Sequence, residues 1–529
     1  MKTLSGLDAT FLYLETPEMP MHVGSFCRYA LPAIPRYSFH KAVTEHIGAR
    51  LHLAEVFSRK LGLMPLDLGH PVWLRVDEVD LGFHIRKVKG RAITLAQAQA
   101  MATALHTELI DRSRPLWEFH VFDRVLCPDG TVCCAMYAKI HHATLDGKAG
   151  AILSQAMMDV SATPREVPPP HAAGRKPQDL KIGQMLGAVF SNTLAQYAKL
   201  ARALPQAARA LGSTVANQTL QGKGTGLRAK LPIRLAPLTV FNVAVGTERS
   251  FGTASVPFAD CRAMAQAVGG TFNDIVLWIC ATALRSYLAQ HSSIPRKPLL
   301  AAMPVSLREA GNNDYSTQAS MTVVELGTHL AHPLKRLQAI MDSTAKVKSA
   351  MANLKTMLPT DYPSLLAPWV VGGVAKAAFK TYSATGLSRR LPMVANLVIS
   401  NVPGPQVPLY LAGARMLGFH PMSIVVHGIA LNITIQTYAG SVEFGVIADR
   451  DAVPQVQDLT AALEAAFAEG RALLTRATTE KAPPTAPAVA KATKKQSAPT
   501  KAAAPRRGGA AKAATVKTSS SRKRPAKAA

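Results

Sequence analysis

Covalent and metal stapling have little to work with in this sequence. Six cysteines in 529 residues, at positions 27, 127, 133, 134, 261 and 280, are too few for a disulfide framework. No CxxC or Cys/His pair has the spacing of a metal site, so the thiols read as reduced core residues of a cytosolic protein. Long apolar runs are also missing. The longest, such as 275–284, reach about ten residues, whereas a bilayer span needs roughly 20. The N-terminus lacks a signal-peptide run, because Asp8, Glu15 and Glu18 interrupt it. There is no GxxxxGK[ST] phosphate loop, and without a G-x-S-x-G elbow a covalent serine mechanism has no support. Acidic residues vanish from the last tenth of the chain.

What is present is an ordinary soluble composition, 48% apolar, with 60 Lys+Arg against 33 Asp+Glu. The net charge of +27 divides unevenly: residues 481–529 hold 13 basic and no acidic residues, which leaves +14 for 1–480. That tail has 16 Ala, 6 Pro and no aromatic, Leu, Ile or Met, so it cannot offset its ordering entropy and is expected to be disordered. Its basic charge suits anionic lipid or nucleic acid, or a solvated extension without a partner.

Along the body, 93–109 carries helix formers, with Leu95, Met101, Leu105 and Leu109 as the expected buried stripe. Two strands follow, 117–125 and 132–140, around a turn at Cys127-Pro128-Asp129-Gly130. Alternation in the second predicts one apolar face inward through Val132, Cys134, Met136, Ala138 and Ile140. Ile152, Leu153, Ala156, Met157 and Val160 then repeat at helical spacing. Residues 161–235, with Pro168-Pro169-Pro170 and an Ala/Leu-rich amphipathic helix over 186–211, read as a connector. Beyond it, 271–288 predicts a helix, 299–306 a strand, 431–438 and 441–447 a hairpin turning at Ala439-Gly440, and 459–474 the last helix.

The chemistry concentrates at the end of the 132–140 strand, in His141-His142-Ala143-Thr144-Leu145-Asp146-Gly147. Four fixed residues at this spacing arise by chance in roughly one chain per thousand. A strand end feeding a tight loop presents a side chain rigidly, and histidine titrates near neutral pH, which suits a general base. Asp146 would hold the loop by an ion pair or backbone hydrogen bonds, or would orient the imidazole directly. Gly147 permits a close approach or a positive φ. A two-histidine metal site is disfavoured, since adjacent side chains point apart on regular structure.

This HHxxxDG signature resembles that of the CoA-dependent acyltransferase superfamily. Within it the chain resembles the bacterial wax ester synthase/diacylglycerol acyltransferase family over about 1–475. The likeness runs through Leu4-Ser5-Gly6-Leu7-Asp8-Ala9, Met21-His22-Val23-Gly24, Pro115-Leu116-Trp117, Asn273-Asp274, Pro304-Val305-Ser306-Leu307-Arg308, Gly311-Asn312 and Ser400-Asn401-Val402-Pro403-Gly404-Pro405. The resemblance implies an α/β fold of two chloramphenicol-acetyltransferase-like domains, mixed sheets flanked by helices, with a tunnel between them. The expected division is an N-terminal domain over 1–165, a helical connector over 166–235, a C-terminal domain over 236–478 and the tail over 479–529.

The activity it implies is transfer of a long-chain acyl group from acyl-CoA to diacylglycerol or a long-chain alcohol. His142 would be the general base, with His141 supporting the loop and Asp146 pairing with an arginine, for which Arg308 is the candidate. Asn273 and Asp274 would support the site, either by opening a helix or by touching substrate. Acyl-CoA is then a cosubstrate, no cofactor is held permanently, and the protein is expected in the cytoplasm at a membrane or lipid-inclusion surface. Other acceptors of the superfamily, or a non-catalytic lipid- or nucleic-acid-binding role through the tail, are the alternatives.

Overall fold

In the computed structural model, which describes residues 2–62, 70–90, 93–144, 149–169, 235–306, 319–354 and 393–481, the chain opens with β1 (Lys2–Thr3), α1 (Gly6–Leu14) and β2 (His22–Ala30). Ser5 caps α1 by accepting the Asp8 amide at 3.1 Å, which satisfies a donor that no helical carbonyl can reach. Next come α2 (Phe39–Gly48), β3 (Arg59–Gly62), β4 (Val72–Arg75), α3 (Leu81–His84), β5 (Ile85–Lys87) and β6 (Ile93–Thr94). A capping box of Thr94 and Gln97 starts α4 (Leu95–Thr107). The N-terminal half ends in β7 (Trp117–Leu126), β8 (Val132–His141) and α5 (Ala149–Met157).

The C-terminal half contains β9 (Arg249–Pro257), α6 (Phe258–Ala267), α7 (Phe272–His291), β10 (Leu300–Ser306), β11 (Ala319–Glu325) and α8 (Pro333–Leu354). It finishes with β12 (Leu397–Val402), β13 (Tyr410–Leu411), β14 (Ala414–Met422), β15 (Leu431–Tyr438), β16 (Ser441–Asp449) and α9 (Val456–Lys481). The β15–β16 turn is the expected one, with Ala439 and Gly440 at φ of +43° and +93°, the left-handed pair a tight hairpin needs. The last helix runs seven residues past the expected end at Leu474.

Among the described residues the strands form three sheets. The first has the order β13-β14-β2-β8-β7-β5, with β6 also beside β7; the second runs β11-β10-β12-β15-β16-β9; β1, β4 and β3 make a small third. Both large sheets are mixed. β5 and β6 run parallel to β7, and β12 runs parallel to β10 and β15, while the remaining pairs are antiparallel.

The boundary near residue 236 does not separate these sheets. β14 leaves the C-terminal half and pairs with β2, setting Met422 opposite Gly24 and His420 opposite Phe26. Phe251, Ile447 and Met422 thereby share one core with Phe26, Phe122 and Tyr137.

Two expectations from the pattern fail here. β8 is central and covered on both faces, so Cys133, Ala135, Tyr137 and Lys139 are as buried as Cys134, Met136, Ala138 and Ile140, while Val132 is exposed. On α4 the buried side is Ala98, Ala102, Thr103 and His106, and Met101 and Leu109 face solvent. Small residues let α4 lie close against the sheet, so apolar bulk misreads its inner face. The 186–211 helix of the connector and residues 482–529 of the tail lie outside the described residues. No single described helix is long and apolar enough to cross a membrane.

Candidate active site

β8 ends on His141, and the chain tightens at once into a single 3₁₀ turn over His142–Thr144. Thr144 closes that turn by donating its hydroxyl to the His141 carbonyl at 2.8 Å. The tight turn sends the two imidazoles in different directions.

His141 is wholly buried. Its Nδ1 accepts the Ala143 amide at 3.1 Å, which assigns the proton to Nε2, 3.2 Å from Glu15 Oε1. Glu15, just past the end of α1, is itself tightly held. The Met21 amide donates to Oε1 at 3.1 Å, and Arg112 donates to Oε2 through Nε at 3.0 Å and Nη2 at 2.6 Å. Burial alone would raise this carboxyl, but His141, Arg112 and the Met21 amide together hold its pKa at about 2. It is an anion throughout the physiological range.

His142 is half-buried. Its amide donates to the Met21 carbonyl at 2.9 Å, and its ring lies flat on Phe11 of α1, with centroids 3.8 Å apart and planes inclined by 20°. Met21 therefore joins both halves of the motif, its N–H on Glu15 and its carbonyl on His142. The His142 Nδ1 is buried without a hydrogen-bond partner among the described residues. Burial, and then neighbouring His141, lower the pKa of this imidazole to about 4, so it is neutral near pH 7.

The turn is held from outside by Arg59 of β3, which donates Nη2 to the Thr144 carbonyl at 3.0 Å while its guanidinium lies 4.5 Å over the Trp73 ring. Behind the strand, His22 stands opposite His141 with Nε2 2.8 Å from the His106 carbonyl. Lys139, two residues before His141, is fully buried against Glu118.

His141 and His142 thus sit at the strand end, as the sequence placed them. Asp146, Gly147 and Arg308 lie outside the described residues. Asn273 and Asp274 open α7: the Asp274 carboxylate accepts the Thr271 amide at 2.8 Å and hydroxyl at 2.6 Å, and the Thr344 hydroxyl at 2.7 Å. Asn273 Oδ1 accepts Asn401 Nδ2 at 3.2 Å, which ties the helix start to the Asn401–Pro405 loop. Among the described residues no hydrogen bond or ring contact links either residue to His142. Phe11, Glu15, Arg59 and Arg112 escaped the sequence reading. They reach the motif from 29 to 130 residues away in the chain; Glu15 and Arg112 lie near His22 and Pro115 of the quoted segments, and nothing in the pattern pointed to Arg59.

Comparisons with known proteins supply the family. Residues 4–276 match the wax ester synthase/diacylglycerol acyltransferase catalytic domain, and residues 316–470 match the WS/DGAT C-terminal domain. The chain belongs to the wax ester synthase/diacylglycerol acyltransferase family. It is 33% identical over 477 residues to the probable diacylglycerol O-acyltransferase tgs2 of Mycobacterium tuberculosis, covering 87% of this chain and 96% of that protein. It is 30% identical over 482 residues to O-acyltransferase WSD of Acinetobacter baylyi, covering 88% and 96% respectively. Its fold is similar to that of the wax ester synthase/diacylglycerol acyltransferase from Marinobacter aquaeolei VT8, with a TM-score of 0.61 and 27% identity over 90% of this chain and 100% of that one.

Proposed function

We propose that this protein is an acyl-CoA-dependent O-acyltransferase that esterifies diacylglycerol, a long-chain alcohol, or both, with His142 as general base. The observation that carries the mechanism is the neutral His142 ring, fixed at the end of β8 with Nδ1 turned inward. The acceptor hydroxyl gives its proton to Nε2 as its oxygen attacks the thioester carbonyl. The tetrahedral oxyanion collapses, the C–S bond breaks, and the departing sulfur takes the proton back from His142, so ester and CoA thiol leave together. Positioned proton transfer of this kind supplies about 10²–10⁴-fold, and placing the two substrates side by side supplies much of the remainder.

His141 has a different task. With Nε2 facing the Glu15 anion and Nδ1 on the Ala143 amide, both its nitrogens are engaged, so it holds the turn and takes no substrate proton. Both acceptors partition into lipid, so the enzyme must meet a membrane or lipid-inclusion surface, and the +14 of residues 1–480 favours an anionic one as well as anionic CoA.

The test is ester formation from labelled palmitoyl-CoA offered to diacylglycerol and to hexadecanol. Wild type should acylate at least one acceptor and His142→Ala neither. Product undiminished in His142→Ala would overturn the mechanism, and no product from wild type with either acceptor would overturn the substrate class.

A further inference from the structure

Far from the imidazoles, at the tip of the β7–β8 hairpin, two thiols meet. Cys127 Sγ and Cys133 Sγ are 3.2 Å apart, both buried and both free. The hairpin brings them together. The Cys127 amide donates to the Thr131 carbonyl at 2.8 Å, the Gly130 amide donates to the Cys127 carbonyl at 3.0 Å, and Gly130 takes the positive φ of +80° that this tight return requires. Cys133 lies opposite Val125, so the two cysteines occupy diagonal positions on one face of the ladder.

A disulfide bond is about 2.0 Å long, so small side-chain rotations would close the gap. Everything between the two cysteines is exposed, from Pro128 to Val132. The pair is therefore the buried underside of a solvated tip, and opening that tip exposes it without unfolding the sheet.

We propose that Cys127 and Cys133 form a dithiol–disulfide couple, a modification site distinct from the acyl-transfer centre and open to disulfide oxidants. The Cys127 thiolate attacks one sulfur of the oxidant, forming a mixed disulfide and releasing the first thiol. The Cys133 thiolate then attacks the Cys127 sulfur and releases the second. Two protein thiols each lose a hydrogen, one S–S bond forms in the protein, and the oxidant's S–S bond is reduced to two thiols. Cys127 reacts first because it is the less buried of the two, 7% against 1% exposed.

Burial, and then Cys127 itself, push the Cys133 thiol up to about 12, and Arg28 opposes this. Oxidation is therefore slow in the closed hairpin and faster when the tip opens. The adjacent Cys134 donates instead to the Asp123 carbonyl at 3.3 Å and belongs to the core on the opposite face of the sheet, so it takes no part.

The experiment treats the full chain with oxidised glutathione, with and without sub-denaturing urea, then counts thiols after denaturation and maps peptides without reduction. The six thiols should fall by two, and the peptide carrying 127 and 133 should become about 2 Da lighter. Low urea should raise the rate, Cys134→Ser should leave the loss intact, and Cys127→Ser or Cys133→Ser should abolish it. Six remaining thiols under every condition would refute the proposal. So would a bridge through Cys134, or separate stable glutathione adducts on Cys127 and Cys133.

Discussion

Replacing Lys139 by methionine keeps the bulk of the side-chain stem and removes a single charge from a site with no solvent access. In the native protein Lys139 Nζ donates to the Leu105 and Glu108 carbonyls at 3.1 Å each and lies 3.6 Å from Glu118 Oε2. One ammonium thus caps the C-terminal end of α4, complements its dipole and neutralises a buried carboxylate. In Lys139→Met, Glu118 keeps, among the described residues, His120 Nε2 at 3.3 Å and Arg86 Nη1 at 4.0 Å. Breaking one side of a buried pair costs about 3–5 kcal/mol, and each orphaned carbonyl adds about 1 kcal/mol. Arg86, which stays beside Glu118, returns part of that sum. The expected loss is about 4 kcal/mol, read as a lower urea midpoint with little change in slope. Adding Glu118→Gln should recover roughly half, since the uncompensated charge goes with it. A loss below about 1 kcal/mol for Lys139→Met would refute the reasoning, because it would mean that the pair behaves as a solvated one.

Other outcomes are as specific. Phe11→Leu should lower kcat about tenfold with KM nearly unchanged, and Phe11→Tyr should retain activity, because the 3.8 Å ring stack orients His142; a steady-state analysis decides it. The acid limb of wild-type kcat/KM should fall near pH 4 rather than near 6.5, since only the neutral His142 accepts a proton; a limb at 6.5 would mean that the ring is solvated. Stability should also decline in acid. His142 at about 4, and His106 and His420 at about 3, titrate below the unfolded value of about 6.5, so the unfolded state binds more protons across that interval. Their contribution is complete above pH 6.5 and is lost as pH falls towards 4, by up to about 1.4 kcal/mol per pH unit for each imidazole. The Glu15 contribution is present above its ordinary value of 4.5 and disappears as pH falls towards about 2. Thermal melts between pH 7.5 and 4.5 would show the slope, and a flat profile would contradict it.

Much of the site was legible in the chain, because its chemistry is local. A strand, two adjacent imidazoles and a turn all lie within a dozen residues, and the Thr94 and Thr271 caps are equally local signals. The misreadings fall where a neighbour distant in sequence decides the outcome. Lys139 looked like the solvent side of an alternating strand until α4 and Glu118 covered it. The stripe on α4 looked like its bulky residues until close packing selected Ala98 and Ala102. β14 belongs by sequence to the C-terminal half and by hydrogen bonding to the N-terminal sheet.

By itself the sequence determined the family, the two histidines and most element types, because hydrophobic period, capping residues and motif spacing act over a few residues. It also split the charge between body and tail. Only the tertiary structure decided the surroundings that set the two histidines apart. Glu15, itself held by Arg112, faces His141, while burial and the neighbouring His141 lower the pKa of His142, whose ring stacks on Phe11. Those are effects of burial and of charges brought within about 4 Å, and neither distance nor desolvation exists until the chain has folded.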